Sequence, residues 1–375
     1  MGLLGVALVL AGCQAPVIER APAHSGDLIL EGRRIIANAP ITDKNLWRFR
    51  VAMVALKEQR YDEARELLDA ALPSAGTMLE GGQQAERARS WLGREREKVF
   101  YGEPYERAMG WFYRGMLYWR DGEPDNARAC YRTAQLLDAA AAQSDRGDWV
   151  LLDYLDGYAT AKLGGDGGDA LARARATVPT LPDFDTAANV LVFLQFGFGP
   201  VKRSGGDVGE GLTYGGGYSR TQSAVVRANG GHGHAALALD DLTHQATTRG
   251  PRQFDLELAR KAAVKKTGDT VGDIGFFPGL ILTQPEETRE IGLGLLGFGL
   301  AGKALGGTIK PGADTRSWNN LPQYLAFTAL RLPAGEHELE IDFYDADGNA
   351  ISGISRQLRI QVKAKGDTVV FVAEK

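Results

Sequence analysis

The amino-acid sequence predicts an α+β protein in which a helical half precedes a half built mainly of strands. Three observations support this fold class. Apolar residues recur at helical spacing between residue 44 and about residue 180. Glycine accounts for 48 of the 375 residues, and most of the excess over the usual share of about 7% follows Gly164. From Tyr324 onward, short runs rich in β-branched and aromatic residues alternate with turn sequences, which favours an antiparallel sheet or sandwich.

The composition argues against several classes of function. A formal net charge of −4 and a pI near 5.9 lack the basic character of a nucleic-acid-binding protein. The glycines from 209 to 215 lack the Lys-Ser/Thr pair of a phosphate-binding loop, so we expect no nucleotide. The Gly-x-Ser-x-Gly and His-Glu-x-x-His signatures of hydrolases do not occur. We therefore expect no enzyme activity and no cofactor.

The N-terminus has the features of a bacterial export signal. Residues 3–11 form an apolar run that is too short for a transmembrane helix, which needs about 20 residues. The run ends in Leu10-Ala-Gly-Cys13, which resembles the lipobox of bacterial lipoproteins. The resemblance implies that residues 1–12 are a signal peptide, that Cys13 carries acyl chains, and that residues 13–43 tether the protein to the membrane. A buried strand or helix that happens to end in Gly-Cys is the alternative.

Two details refine this prediction. Gln14 occupies the position at which Asp would favour retention in the inner membrane, so the periplasmic face of the outer membrane is the expected location. No Lys or Arg precedes the apolar run, and we therefore expect the true start codon to lie upstream of Met1. If Cys13 is acylated, Cys130 has no disulfide partner and is expected to pack as a small buried hydrophobe.

Residues 44–182 are expected to form a domain of paired helices. The clearest pattern resembles the tetratricopeptide repeat (TPR), in which small residues sit where two antiparallel helices cross and aromatic residues fill the space around them. A second unit spans residues 45–72, with Ala52 at the glycine position, and a weaker third unit spans residues 149–178. The packing residues of the clearest unit are Trp111, Gly115, Tyr118, Ala127, Tyr131 and Ala134.

The first helix of each of the two clearer units carries a second apolar stripe, followed by a basic residue. In the TPR family this face lines a concave groove that binds a partner, and Met and aromatic residues are typical of adaptable binding surfaces. The resemblance therefore implies a groove for a periplasmic or envelope protein or peptide. The alternative is that the chain covers this surface itself, with residues 28–36 or with its C-terminal domain. The predicted groove consists of Leu46, Phe49, Met53, Leu56, Lys57, Met109, Phe112, Met116, Trp119 and Arg120.

Residues 183–375 are expected to form a glycine-rich and strand-rich C-terminal domain. Residues 189–196 suit a buried strand, whereas the glycines of residues 204–233 favour irregular loops or short edge strands. Apolar spacing indicates two helices, at residues 253–266 and 286–305. Four further strands, separated by turn sequences, are expected at residues 325–332, 338–344, 357–362 and 368–372.

Three motifs outside these patterns add a more specific resemblance. They are Tyr101-Gly-Glu-Pro-Tyr-Glu106, Gly199-Pro200-x-Lys202, and Asp314-Thr-Arg-Ser-Trp318 before Leu321-Pro322. With the lipobox, they resemble a poorly characterised family of bacterial TPR lipoproteins. The resemblance implies this architecture and an envelope location, but no reaction. Trp318 is expected to be buried and Arg316 to bind backbone carbonyls or a carboxylate, and a ligand-binding role for Arg316 is the alternative.

No metal site is expected. His232 and His234 are two residues apart, but apart from Asp240, Asp241 and His244 no further ligand lies close in the sequence. The segment Asp345-x-Asp-Gly-Asn349 lacks the spacing and the closing Glu of an EF-hand, so a hairpin turn explains it better.

These observations predict a lipid-anchored scaffold or adaptor of the bacterial cell envelope, which binds a protein or peptide and contacts the membrane through Cys13. One alternative is an envelope-assembly or cell-wall factor that binds a glycan or lipid polymer through the β-rich half. A third hypothesis, an enzyme of unknown class, would need a compact polar pocket around His232, His244 or Arg316.

Overall fold

The computed structural model describes residues 26–76, 99–138, 149–205, 211–247 and 314–374. This part of the chain forms a layer of helices packed on one face of a rolled, mixed β-sheet. Cys13, the signal peptide and the helices predicted at residues 253–266 and 286–305 lie outside the described residues.

The helices of the first half of the chain pack against one another in chain order. Their bounds are α1 Leu28–Asn38, α2 Lys44–Lys57, α3 Tyr61–Gly76, α4 Pro104–Arg120, α5 Pro124–Asp138, α6 Val150–Lys162 and α7 Gly168–Thr177. Three pairs are joined by short turns, as the sequence predicts: α2 with α3, α4 with α5, and α6 with α7. Among the described helices, none combines the length and the apolar character that spanning a membrane requires.

Helix α1 extends the helical layer toward the N-terminus. The Asp27 carboxylate accepts the backbone N–H groups of Ile29 and Leu30, at 2.9 and 3.1 Å, and so caps the start of this helix. Gly32 then brings the helix backbone against the side chain of Val51 in α2. The helical layer therefore begins inside the range that the sequence predicts as a tether, residues 13–43.

The predicted packing residues lie at the contact between α4 and α5. A Cβ atom at Gly115 would lie 2.6 Å from the ring of Tyr131, so glycine is required at this crossing. The other predicted packing residues are buried (Ala127, Tyr131 and Ala134) or partly buried (Trp111 and Tyr118).

The second half of the described chain forms a seven-stranded sheet and a two-stranded hairpin. The bounds are β1 Val190–Phe196, β2 Val201–Gly205, β3 Gly211–Gly215, β4 Ser223–Ala228, β5 Gly233–Asp241, α8 Leu242–Thr247, β6 Tyr324–Leu330, β7 Gly335–Tyr344, β8 Arg356–Val362 and β9 Thr368–Ala373. The sheet has the order β8-β7-β4-β5-β6-β1-β9, and β2 pairs with β3 in the hairpin. Because the outer strands β8 and β9 approach each other without pairing, the sheet is nearly closed.

The sheet departs from the predicted antiparallel arrangement at β9. This strand pairs in parallel with β1, whereas the other neighbours in the sheet are antiparallel. The reason lies in its sequence, Thr-Val-Val-Phe-Val-Ala, which is a continuous apolar run instead of an alternating one. Such a strand needs cover on both faces, which is typical of parallel pairing. Beside β1 the helices cover one face, and the inside of the rolled sheet covers the other.

Strand β1 joins the two halves of the molecule because all seven of its residues are buried. Leu191 and Phe193 belong to the core between the helices and the sheet. Val192 and Leu194 point the other way and belong to a second core inside the rolled sheet. Strand β1 therefore contributes to both hydrophobic cores of the described chain.

For residues 204–233 the sequence favours irregular loops or short edge strands, and the short hairpin of β2 and β3 fits that interpretation, but β4 does not. Strands β4 and β5 are central to the sheet. Their buried side chains include the small Ala224 and Ala236, and glycines lie close by. Their hydrophobic alternation is therefore weak.

We predict that Gly115→Ala lowers the free energy of unfolding by about 1 to 3 kcal/mol, because the added methyl group overlaps the buried Tyr131 ring. The alanine gains about 1 kcal/mol of helix propensity, which offsets only part of this cost. Urea unfolding followed by circular dichroism measures the change. Ala129→Gly, at an exposed position of α5, is the control for propensity alone. A Gly115→Ala protein as stable as its parent would contradict the close helix crossing.

Candidate functional site

The apolar stripes that were predicted to form a groove lie inside the protein. Phe49 stacks on Trp318 with ring centroids 4.6 Å apart, and Phe112 meets Phe193 of β1 edge to face at 6.1 Å. The sheet and the segment before β6 thus occupy the inner face of the helices. The stripe residues are each at most 4% exposed: Leu46, Phe49, Met53, Leu56, Met109, Phe112, Met116 and Trp119.

These residues therefore do not form an open docking groove. The structure instead matches the alternative in which the C-terminal half of the chain covers this surface. Helices that are apolar on two sides need an occupant for the second side, but the pattern does not show whether the occupant belongs to the same chain. Of the predicted groove residues, only the two basic ones reach solvent: Lys57 is exposed and Arg120 is partly exposed.

Three motifs that are distant in the sequence converge between the two layers. Glu106 lies in the first turn of α4, Lys202 in β2, and Trp318 in the segment before β6. Lys202 Nζ donates to Glu106 Oε2 at 2.6 Å and to the Arg316 carbonyl oxygen at 2.9 Å. Glu106 Oε1 accepts the Trp318 backbone N–H at 2.7 Å. We call these four residues, Glu106, Lys202, Arg316 and Trp318, the motif cluster.

The ion pair at the centre of the motif cluster is enclosed by protein. The side chain of Lys202 is 2% exposed and that of Glu106 is 1% exposed. Glu106 Oε2 also accepts the Glu103 backbone N–H at 2.7 Å, and a Glu103 carboxylate oxygen lies 3.8 Å from Lys202 Nζ. A charge pair removed from water is tolerated when further hydrogen bonds satisfy both groups, as these contacts do. The cluster thereby holds α4, the hairpin and the segment before β6 together.

Arg316 has the structural role that the sequence predicts. Its guanidinium donates to the Asp314 carboxylate through Nε at 2.8 Å and through Nη2 at 2.6 Å. Nη1 donates to the Thr42 carbonyl oxygen at 2.9 Å and to the Asp43 carboxylate at 2.7 Å. The side chain thus ties the segment before β6 to the turn before α2. Trp318 is buried, as predicted, with 1% exposure.

Asp240 makes a second polar contact between the layers. Its carboxylate, near the end of β5, accepts the backbone N–H groups of Val150 and Leu151 at 2.8 and 2.9 Å. A carboxylate in this position caps helix α6 and interacts favourably with the positive end of the helix dipole. In the sequence, Asp240 stands out only as a neighbour of the histidines. Its partners lie 90 and 89 residues away, so no local signal could reveal this role.

Asp367 makes a third contact of this kind, from the connection between β8 and β9. It accepts the indole N–H of Trp119 at 2.8 Å and an N–H of Lys162 Nζ at 2.7 Å. Lys162 and Asp367 are each 12% exposed, so this ion pair is also largely shielded from water. The sequence reasoning missed Asp367, because its partners are 248 and 205 residues away.

The residues considered as metal ligands do not come together. His232 and His234 are exposed, and Asp240 is engaged by the start of α6. Within the described ranges, no group of three or more His, Cys, Asp or Glu side chains is placed to hold a metal ion. Asp345 accepts the backbone N–H groups of the second and fourth residues after it, at 3.0 and 2.9 Å, which forms the turn that the sequence predicts.

Cys130 is a buried free thiol with 4% exposure. Burial raises the pKa of the Cys130 thiol to about 12, so the group stays protonated at neutral pH. A protonated thiol is a poor nucleophile. Cys130 therefore packs as the small hydrophobe that the sequence predicts.

A cavity of about 360 Å³ lies where the sheet remains open. Strands β8 and β9 leave a common connection, at which the Lys363 backbone N–H donates to Thr368 Oγ1 at 3.0 Å. At their other ends a long side chain spans the space, with Arg356 Nη2 donating to the Ala373 carbonyl oxygen at 3.1 Å. We call this cavity the β8–β9 gap. It is lined by Gln59, Tyr61, Arg120, Leu358, Arg359, Ile360, Gln361, Lys363, Thr368, Val369 and Val370.

The charged side chains that line the β8–β9 gap are all basic: Arg120, Arg359 and Lys363. The Arg120 guanidinium lies over the Tyr61 ring, 4.5 Å from its centroid, and Lys363 Nζ donates to the Arg120 carbonyl oxygen at 2.7 Å. Arg359 is exposed and belongs to none of the ion pairs between described residues. Of the predicted groove residues, Arg120 alone lines this site.

The two candidate sites differ in kind. The motif cluster is enclosed, and the charged groups of Glu106, Lys202 and Arg316 are held by contacts inside the protein, whereas the β8–β9 gap opens to solvent. Comparison of the chain with known protein families, with characterised proteins and with solved structures gives no match.

We predict that Lys202→Met destabilises the protein by about 3 to 5 kcal/mol, since it leaves the buried Glu106 carboxylate without its counter-charge. Combined with Glu106→Gln, the loss should be smaller than the sum of the two single losses, because the two side chains act as a unit. Chemical denaturation of the parent and the three variants measures this coupling. The exposed pair Arg331–Asp185 is the control, and Arg331→Ala should cost less than about 1 kcal/mol. Additive losses at Lys202 and Glu106 would count against the ion pair as the centre of the motif cluster.

Proposed function

We propose that the protein is a lipid-anchored scaffold or adaptor on the periplasmic face of the bacterial outer membrane, and that it binds a protein partner at the β8–β9 gap. The observation that carries this proposal is the gap itself, where two strand edges lie beside a cavity with three basic side chains. Unpaired strand edges are sites at which proteins bind extended segments of other proteins. The lipobox-like sequence that ends in Cys13 supports the anchor.

The buried contacts favour a binding role over a catalytic one. Glu106, Lys202 and Arg316 have side chains that could act in catalysis, but partners inside the protein hold each of them. A general acid or base needs to reach its substrate, and these side chains join structural elements instead. The proposed docking surface accordingly lies at the edge of the sheet and not on the inner face of the helices, which the sheet fills. Polymer binding by the β-rich half stays a prediction.

The proposed anchor predicts acylation of Cys13. Cells that express the complete coding region in the presence of tritiated palmitate should yield a labelled protein in the membrane fraction. Cys13→Ser should abolish the label and release the protein from the membrane, because the acyl chains provide the attachment. Cys130→Ser removes the other cysteine from a buried site and should leave the labelling intact. A label on the Cys13→Ser protein, or an unlabelled parent, contradicts the anchor.

The proposed docking surface predicts a partner within reach of Gln361, an exposed residue of β8 at the gap. A photo-crosslinking amino acid at this position should join the protein, after irradiation of living cells, to a partner that mass spectrometry can identify. The same amino acid at Leu136, which is 61% exposed on α5, is the control and should not capture that partner. If no product is specific to position 361, the docking surface is refuted.

A further inference from the structure

We infer that the partner presents an extended acidic segment, which enters the β8–β9 gap and pairs with the free edge of β8. This inference rests on the proposed function and adds the chemistry and the conformation of the ligand. Three features of the gap support it: the state of the two strand edges, the alternation of side chains along β8, and the distribution of charge.

The edge of β8 is the freer of the two edges. Strand β9 pairs with β1 on one side, and side chains partly occupy its other edge. There the Tyr61 hydroxyl lies close to the Phe371 backbone, and Arg356 Nη2 donates to the Ala373 carbonyl oxygen at 3.1 Å. The backbone groups of β8 pair with β7 and with no other described residue. The backbone N–H and C=O groups of alternate β8 residues therefore point into the gap, where an added strand can pair with them.

The side chains of β8 define two faces for an added strand. Leu358 and Ile360 pack against the core inside the rolled sheet, whereas Arg359 and Gln361 are exposed. A strand paired with β8 follows the same alternation, because successive side chains of a strand point to opposite faces. The added segment should therefore carry apolar residues on the face beside Leu358 and Ile360, and residues that complement Arg359 on the other.

The charge at the gap selects acidic residues for that outer face. Opposite charges across a strand pair are favourable, and like charges directly opposite each other are unfavourable. Asp121 lies 3.3 Å from Arg120 but also 2.9 Å from Arg65, so a second cation already shares its charge. Arg359 lies opposite Glu338 of β7 and forms no ion pair with it, and its side chain is exposed. Lys363 Nζ uses one N–H for the Arg120 carbonyl oxygen, and its other N–H groups can bind carboxylates of a ligand.

Fluorescence anisotropy with three labelled peptides tests the inference on the full-length protein in detergent. The first peptide alternates valine with glutamate or aspartate, and the second has lysine in place of each acid. The third is the acidic peptide with every second backbone amide N-methylated, which removes the hydrogen bonds of strand pairing. We expect the acidic peptide to bind at least about tenfold more tightly than either of the others. Equal binding of the lysine peptide would overturn the charge selection, and equal binding of the N-methylated peptide would overturn strand pairing.

Two charge-reversal variants make the test specific to the gap. Arg359→Glu should weaken binding of the acidic peptide by about tenfold or more, because it places a like charge beside the ligand. Lys365→Glu changes the net charge by the same amount at an exposed position outside the lining of the gap, and it should have little effect. Circular dichroism checks that both variants fold. An equal loss in both variants would overturn the inference, since overall charge would then explain the binding.

The outcomes separate this inference from the proposed function. If the acidic peptide does not bind but a partner still crosslinks to position 361, the inference fails and the docking surface stands. If the acidic peptide does not bind and no partner crosslinks to position 361, both the inference and the proposed docking surface are wrong. A second copy of this chain in the gap would appear as a dimer in analytical ultracentrifugation, and that result would also overturn the inference.

Discussion

The packing of helices α2 and α4 against strand β1 is the interaction on which the rest of the structure depends. Phe112 meets Phe193 edge to face, and the Tyr113 hydroxyl donates to Gln195 Oε1 at 2.7 Å. The Gln195 amide nitrogen in turn lies 3.6 Å from the Met53 sulfur. Because all seven residues of β1 are buried, this strand is stable only with helices on one face and the rolled sheet on the other. Neither layer has a complete core without its partner.

The polar contacts between the layers depend on this apolar contact. Once the layers are packed, Glu106 and Lys202 are shielded from water, and solvent weakens their attraction less than at the surface. Burial also makes any arrangement that separates the two charges costly. In our interpretation, the ion pair therefore adds specificity, since it is satisfied only when the hairpin and the segment before β6 are correctly placed on α4. Asp240 follows the same logic, with two backbone N–H groups in place of a cation.

Sequence reasoning predicts the elements whose signal is local. Gly115 and Tyr131 lie at the helix crossing that their spacing indicates, and the burial of Trp318 is predicted from its residue type. Strands β4 and β5 escape prediction because residues such as Ala224 and Ala236 are too small, and their surroundings too rich in glycine, to give a clear alternation. The sequence pattern does not show what covers the apolar stripes of the helices, or that Glu106 pairs with a residue 96 positions away. Both depend on the path of the chain through the fold. A charged residue within a short motif of apolar and turn residues, as at Lys202, is the one signal that could have indicated a buried pair.

The opening in the sheet follows from the constraint that places β1 between two layers. Strand β9 is apolar on both faces and is stabilised beside β1, beneath the helices. Strand β8 has exposed residues at alternate positions and is stabilised beside β7, with one face in solvent. A short connection joins these two strands, but their hydrophobic patterns favour pairing with different strands, β1 for β9 and β7 for β8. The two strands therefore diverge and leave the gap. Because the gap arises from the hydrophobic patterns of the strands themselves, the edge of β8 beside it is already ordered in the isolated chain. The docking that we propose would therefore require no conformational ordering of this strand.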